Sequence, residues 1–220
     1  MQGFYEHSMN KDIDIQHNTA LFDMDGVIFD TEPQYTVFWG NICREYRQDI
    51  EGLELLIKGQ TLKDIFSTYF ADQPDEQIDI VQRLNEYEKE MTYQYIPGAK
   101  DFLLNLKGRG VNTALVTSSN MRKMQQVYRQ HPDFVYLFDK IFSSEDFKAS
   151  KPNPDCYLTA AQHFNVSTKE CVVFEDSING LKSARAANMY VVALQTTLDK
   201  NCLVGLSDEI IRDFSNYTFK

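Results

Sequence analysis

The chain has 220 residues, of which 43% are hydrophobic and 25% charged, with a formal net charge of −10. This length and composition suit a soluble globular protein of one domain carrying a smaller insertion. The acidic balance leaves no basic stripe for a nucleic-acid backbone, so DNA and RNA are excluded as expected partners.

The polar segment 1–18 has no hydrophobic stretch like that of a secretory signal, and it is expected to be a disordered tail. No apolar run approaches a membrane span, so a cytoplasmic location is expected. Cys43, Cys156, Cys171 and Cys202 are scattered, without a C-x-x-C pair or a nearby histidine at ligand spacing. They read as free thiols, not as a zinc or redox motif.

In chain order, Thr19 to Met24 predicts a buried strand, because its apolar run is continuous and stops at the turn signal Asp25-Gly26. The region that follows is helical throughout. Tyr35, Phe38, Trp39, Ile42, Cys43 and Tyr46 share one face at helical spacing. A second helix is expected to open at Thr61, where Thr61 and Asp64 have capping-box spacing. A third starts near Asp75 with Ile78, Val81, Leu84 and Met91 inward, and Pro97-Gly98 returns the chain to the core.

Strand and helix alternate from Pro97 onward. Strands are predicted at Val111 to Thr117, Lys140 to Ser143, Cys171 to Glu175 and Tyr190 to Leu194. Apolar faces at Phe102, Leu103 and Leu106, and at Ile178, Leu181 and Ala184, predict helices between them. The order predicts an α/β fold, a doubly wound Rossmann-like parallel sheet with an inserted all-α unit. The expected boundaries are 19–31 and 97–220 for the core and 32–96 for the insertion.

Open α/β sheets bind ligands beyond the carboxyl ends of their strands. The residues there are Asp23 and Asp25 after the first strand, Thr117 and Ser118 after the second, and Glu175 and Asp176 after the fourth. Lys151 follows the third. Each has an ordinary alternative: Asp23 and Asp25 as turn formers, Thr117, Ser119 or Asp176 as helix caps, Lys151 as a surface lysine. Their succession at strand ends favours a site.

A phosphate ester gives each residue a task. Asp23 could attack phosphorus and form an aspartyl-phosphate, and Asp25 could protonate the departing alcohol and then activate water. Thr117 and the backbone N–H groups near Ser118 suit phosphoryl oxygens, and Lys151 would neutralise the transferring group. Three acids and a phosphate of about two charges against one lysine call for a divalent cation. Oxygen-only donors point to Mg²⁺, held by the side chains of Asp23 and Asp176 and the backbone carbonyl of Asp25, with Glu175 beside them. Tyr35 lies nearest the acidic turn and could face whatever is bound above Asp23.

Four segments carry a resemblance at this point: Asp23-Met24-Asp25-Gly26-Val27-Ile28-Phe29-Asp30-Thr31-Glu32-Pro33, Leu115-Val116-Thr117-Ser118-Ser119-Asn120, Lys151-Pro152-Asn153-Pro154-Asp155 and Phe174-Glu175-Asp176-Ser177. Jointly they resemble the haloacid dehalogenase superfamily of phosphohydrolases, in its β-phosphoglucomutase-like branch with a helical cap. The resemblance implies Asp23 as nucleophile, Asp25 as acid/base, Thr117 and Lys151 on phosphate, Asp176 on magnesium and Glu175 as its acidic neighbour. It also implies a cap closing over a small phosphorylated metabolite, with Gly59-Gln60-Thr61 as a substrate-contacting loop, in a monomer.

The departures bear on the substrate. The mutases of this branch have a histidine where Tyr35 stands and an arginine where Leu62 stands, so phosphatase activity is expected ahead of a β-phosphoglucomutase-like reaction. A receiver-type signalling domain would also use a phospho-accepting Asp, a Thr and a Lys on such a sheet. The helical insertion and Asp25 speak against it.

Overall fold

The computed structural model describes residues 17–219. Six strands, β1 (Thr19–Phe22), β2 (Asn112–Val116), β3 (Lys140–Phe142), β4 (Cys171–Glu175), β5 (Tyr190–Leu194) and β6 (Glu209–Ile211), form one sheet in the order β3-β2-β1-β4-β5-β6. Every pairing is parallel. β1 is central and wholly buried, which is why its sequence is apolar without alternation. The strand β6 was not foreseen: three half-buried residues at the sheet edge give almost no periodic signal.

Helices cover both faces of the sheet. Successive residues of β1 point to opposite sides. Ala20 and Phe22 pack with Phe102, Leu103 and Leu106 of α5 (Ala99–Gly108) and Met124 and Val127 of α6 (Met121–Gln130). Leu21 packs with Tyr157 and Ala160 of α7 (Asp155–Phe164) and Leu181 and Ala184 of α8 (Ile178–Ala186). The Phe22 and Phe174 rings stack at 4.6 Å across the β1–β4 pairing.

Between β1 and α5 the chain makes α1 (Glu32–Tyr46), the single turn α2 (Leu53–Leu56), α3 (Leu62–Tyr69) and α4 (Pro74–Glu90). They enclose a core of their own around Phe38, Trp39, Ile42, Leu53, Ile65, Phe70, Ile80 and Leu84. Thr61 caps α3 as expected, accepting from the Asp64 N–H at 3.3 Å. The inward face of α4 matches the expected one at Leu84, and at Met91 just past the helix, but not at Ile78. Ile80, Leu84 and Glu88 are buried, whereas Ile78 is 66% exposed, because the buried stripe follows an i, i+4, i+8 row and not the i, i+3 row through Ile78.

Of the expected tail, residues 1–16 lie outside the described residues. His17 and Asn18 do not belong to it. His17 is buried with its ring 5.0 Å from that of Tyr190, and the Asn18 N–H donates to the Glu170 carbonyl at 3.1 Å. Among the described residues, no helix is long and apolar enough to cross a membrane.

Candidate active site

Register assembles the site. Phe22 is paired with Leu115 on one side and Phe174 on the other, so the next residues along the three central strands, Asp23, Val116 and Glu175, come level. The Asp23 N–H continues the ladder to the Phe174 carbonyl at 3.1 Å. Lys151 arrives from the segment before α7 and is 2% exposed. Its ammonium donates to Asp23 Oδ1 at 2.5 Å, Glu175 Oε1 at 2.7 Å and the Val116 carbonyl at 3.1 Å. The surface-lysine alternative is thereby ruled out.

Glu175 is fully buried and its oxygens are occupied. Oε1 also accepts from the Tyr157 hydroxyl at 2.7 Å, while Oε2 accepts from the Asp176 N–H, the Ser177 N–H and the Ser177 hydroxyl. Asp176 accepts from the Thr197 hydroxyl. Ser177, not Asp176, caps α8, accepting from the Gly180 N–H at 3.0 Å. Gly26, at φ +72°, brings the turn so close that a Cβ there would lie 2.0 Å from Asp176 Oδ2.

Asp23, Glu175 and Asp176 each offer an oxygen, all within 4.8 Å of one another, as a metal site would. Two of these buried carboxylates, Asp23 and Glu175, share the Lys151 ammonium, and Asp176 has no cationic partner among the described residues. Burial, with Glu175 and Asp25 nearby and Lys151 opposing, pushes the Asp23 carboxyl up to about 7. Burial, together with Glu32 and Glu175, holds Asp176 well above the usual carboxylate range. Burial works against the charge on Lys151, but Asp23 and Glu175 outweigh it and the ammonium persists. The cluster is short of positive charge, and an all-oxygen donor set fits a hard divalent cation.

Asp25 is held apart from this cluster. Its carboxylate accepts from the Thr31 hydroxyl, from the Ser119 hydroxyl at 3.2 Å, and from the Lys123 ammonium at 2.6 Å to each oxygen. Ser119 is free to do this because Asn120 caps α6, accepting from the Lys123 N–H at 3.0 Å. Thr117 is buried beside Asp23, with its hydroxyl oxygen accepting from the Ser119 N–H at 3.0 Å.

Asp23, Asp25, Asp176, Thr117 and Lys123 line a cavity of about 500 Å³ between the sheet and the helical insertion, whereas Lys151 and Glu175 lie behind its wall. Tyr35, Gln60 and Thr61 line it too, as does Ser118. The Ser118 hydroxyl turns to the insertion and donates to the Gly59 carbonyl at 3.1 Å. Asn179 donates to the Lys58 carbonyl at 2.7 Å, and the Ser150 hydroxyl to Asp64 Oδ2 at 2.5 Å. The insertion is therefore fastened over the cavity. Tyr35 donates through its hydroxyl to Glu88 Oε1 at 2.9 Å.

Sequence reasoning missed Lys123, Thr31, Glu88 and the Glu32–Lys58 ion pair on the cavity wall. One signal pointed to Lys123. The first turn of α6 carries Arg122 and Lys123 and no acid, against the preference of a helix N-terminus for negative charge, so a fixed anion nearby was implied.

Residues 20–194 match the family described as haloacid dehalogenase-like hydrolase. The chain is 35% identical over 183 residues to a probable pseudouridine-5'-phosphatase of Drosophila melanogaster, covering 79% of each. It is 28% identical to a phosphorylated carbohydrates phosphatase of Thermotoga maritima, with 77% of this chain and 81% of that one covered. A putative beta-phosphoglucomutase from Bacteroides vulgatus superposes with TM-score 0.76 at 25% identity, covering 91% of this chain and 86% of the other. The chain spans 12% of the length of an Arabidopsis thaliana relative, Protein SUPPRESSOR OF QUENCHING 1, chloroplastic, at 35% identity over 130 residues. Family match and parallel-sheet topology agree with the strand-end acids and the buried lysine: the chain belongs to the haloacid dehalogenase-like hydrolases.

Proposed function

We propose that the protein is a Mg²⁺-dependent phosphatase that hydrolyses a small phosphorylated metabolite, a sugar phosphate, through a covalent aspartyl-phosphate. The observation that carries this reading is the Lys151 ammonium shared by Asp23 and Glu175 at the level ends of the central strands. The lysine engages Oδ1 of Asp23, which leaves Oδ2 to attack.

Attack forms a bond from Asp23 to phosphorus while the bond to the alcohol oxygen breaks. Asp25, entering the cycle as the acid, gives its proton to that oxygen. Water then attacks phosphorus, the bond to Asp23 breaks, and Asp25 takes the proton back. Thr117 meets a phosphoryl oxygen, Lys151 holds Asp23 and offsets the charge of the transferring group from behind it, and the insertion, acting as a cap, excludes bulk water. Glu175, with its oxygens already taken by donors, fixes Lys151. Oxygens of Asp23 and Asp176 and the Asp25 backbone carbonyl would hold Mg²⁺, which when bound offsets the charge of the phosphate.

Tyr35 and Leu62 support hydrolysis over mutase chemistry, since neither supplies a charged group to grip a phosphorylated sugar for return transfer. The test is a panel of sugar phosphates, other phosphate esters and pyrophosphate ranked by kcat/KM with Mg²⁺. Free phosphate should be released from the preferred ester, EDTA should stop this reversibly, and Asp23→Asn should abolish it while leaving the circular dichroism spectrum intact. Conversion of β-glucose 1-phosphate to glucose 6-phosphate, or turnover by Asp23→Asn, would refute the reading.

A further inference from the structure

Lys123 lies outside the four motifs, and the chemistry above makes no use of it. Its side chain comes from the first turn of α6 and is 3% exposed. The ammonium meets both oxygens of Asp25 at 2.6 Å. It also lies 4.3 Å from the ring centroid of Tyr35, and the Tyr35 hydroxyl is tied to Glu88 at 2.9 Å. A continuous line of contacts thus runs from α4, through Tyr35 on α1 and Lys123 on α6, to the carboxylate of Asp25. Two of its members belong to the insertion and two to the sheet domain.

Holding a carboxylate through both oxygens fixes its orientation as well as its place, which a single hydroxyl cannot do. The aromatic face under the ammonium does the same for the lysine, because a desolvated cation is attracted to the ring quadrupole. We infer that Lys123 is a positioning residue for Asp25, and that Tyr35 seats Lys123, so that insertion and sheet jointly hold the acid–base group. The inference rests on the phosphatase reading. It differs in assigning Tyr35 a task directed at Lys123, in addition to its place on the cavity wall.

A purely structural lysine would lower stability and affect all substrates alike. A lysine that aims the acid affects departure of the leaving group, and only where the alcohol needs a proton. The value of kcat/KM reports events up to that departure. Two esters separate the cases: p-nitrophenyl phosphate, whose phenolate leaves unaided, and an alkyl phosphate such as glycerol 3-phosphate.

For Lys123→Met we expect a fall of roughly 10²-fold on the alkyl ester, the scale of general acid catalysis, and of less than roughly 5-fold on the aryl ester. Lys123→Arg, which keeps the charge pair, should recover much of the alkyl-ester rate. Tyr35→Leu, which keeps Lys123, should show the same selective loss, and the double variant should lose no more than Lys123→Met alone. Equal losses on both esters, or additive losses in the double variant, would overturn the inference while leaving the phosphatase reading in place. Should Lys123→Met fail to fold, the ratio of the two rates in Tyr35→Leu decides by the same criterion. The alkyl ester is the preferred sugar phosphate of the panel where glycerol 3-phosphate is not turned over, and wild-type protein that releases phosphate from no ester of the panel would overturn the reading and the inference together.

Discussion

Gly180→Ala should destabilise this protein, although the same exchange in a helix interior ordinarily stabilises it by about 1 kcal/mol. Gly180 lies in the first turns of α8, and a Cβ there would fall 1.8 Å from Glu175 Oε1 and 1.9 Å from its Cδ. No rotamer change relieves this cheaply. Glu175 is fully buried and accepts from Lys151 at 2.7 Å and Tyr157 at 2.7 Å, besides two backbone N–H groups. Displacing the carboxylate separates a buried ion pair, which costs about 3–5 kcal/mol. Set against the helical gain, the net loss is about 2–4 kcal/mol, or a fall in Tm of roughly 4–16 °C at this chain length. Gly108→Ala is the control, since a Cβ at that helix end meets nothing within 4 Å, and it should be neutral or slightly stabilising. Urea and thermal unfolding of the two variants measure this. A Gly180→Ala protein as stable as wild type would mean that Glu175 is not held in the position described.

Two further outcomes are expected. Gly59→Ala should act on catalysis more than on stability, because Gly59 has φ +75° and a Cβ there would lie 2.5 Å from Ser177 Oγ. Lifting the loop from its seat should lower kcat/KM by roughly 10- to 10²-fold, the scale of an ångström-sized misplacement, with a smaller change in urea midpoint. Burial, aided by Glu170, raises the Cys171 thiol from its ordinary 9 to about 12. The neutral thiol is thus favoured in the folded chain. Its contribution is complete below pH 9 and is lost as pH rises toward 12, so stability should fall over that window. Cys171→Ala should flatten the fall, as read from urea midpoints at pH 8 and at pH 10.5.

How much the sequence disclosed depended on which physical term placed each residue. β4 and β5 were legible to the residue because both are apolar runs buried in the sheet, and parallel topology then brings the residues past the strand ends together. Asp23, Thr117, Lys151, Glu175 and Asp176 came into view in this way. Ile78 was misassigned because two apolar rows cross on α4, and only packing against α1 selects between them. Glu88 was hidden for the same reason: a carboxylate on the buried row looks like a surface charge until the Tyr35 hydroxyl is found beside it. Ser118 shows a different limit. Its place after β2 suggested its backbone N–H for phosphate, but the bond from its hydroxyl to the Gly59 carbonyl depends on how the insertion folds back.

The two acids of the leading pair, separated by one residue, have different partners, which suits the two tasks proposed for them. Asp23 shares a single ammonium with Glu175, beside the buried Asp176, and its carboxyl is pushed up to about 7 by burial. On the proposed mechanism, a cation bound there would favour the Asp23 carboxylate and also offset the charge of the phosphate. Asp25 has an ammonium of its own and two hydroxyls, none of which it shares with Asp23. The intervening Met24 is buried in the core, and both acids line the same cavity with different partners. A single shared cation network would tie proton transfer by Asp25 to the state of the nucleophile. With separate partners, the acid–base role proposed for Asp25 does not draw on the Lys151 ammonium that holds Asp23.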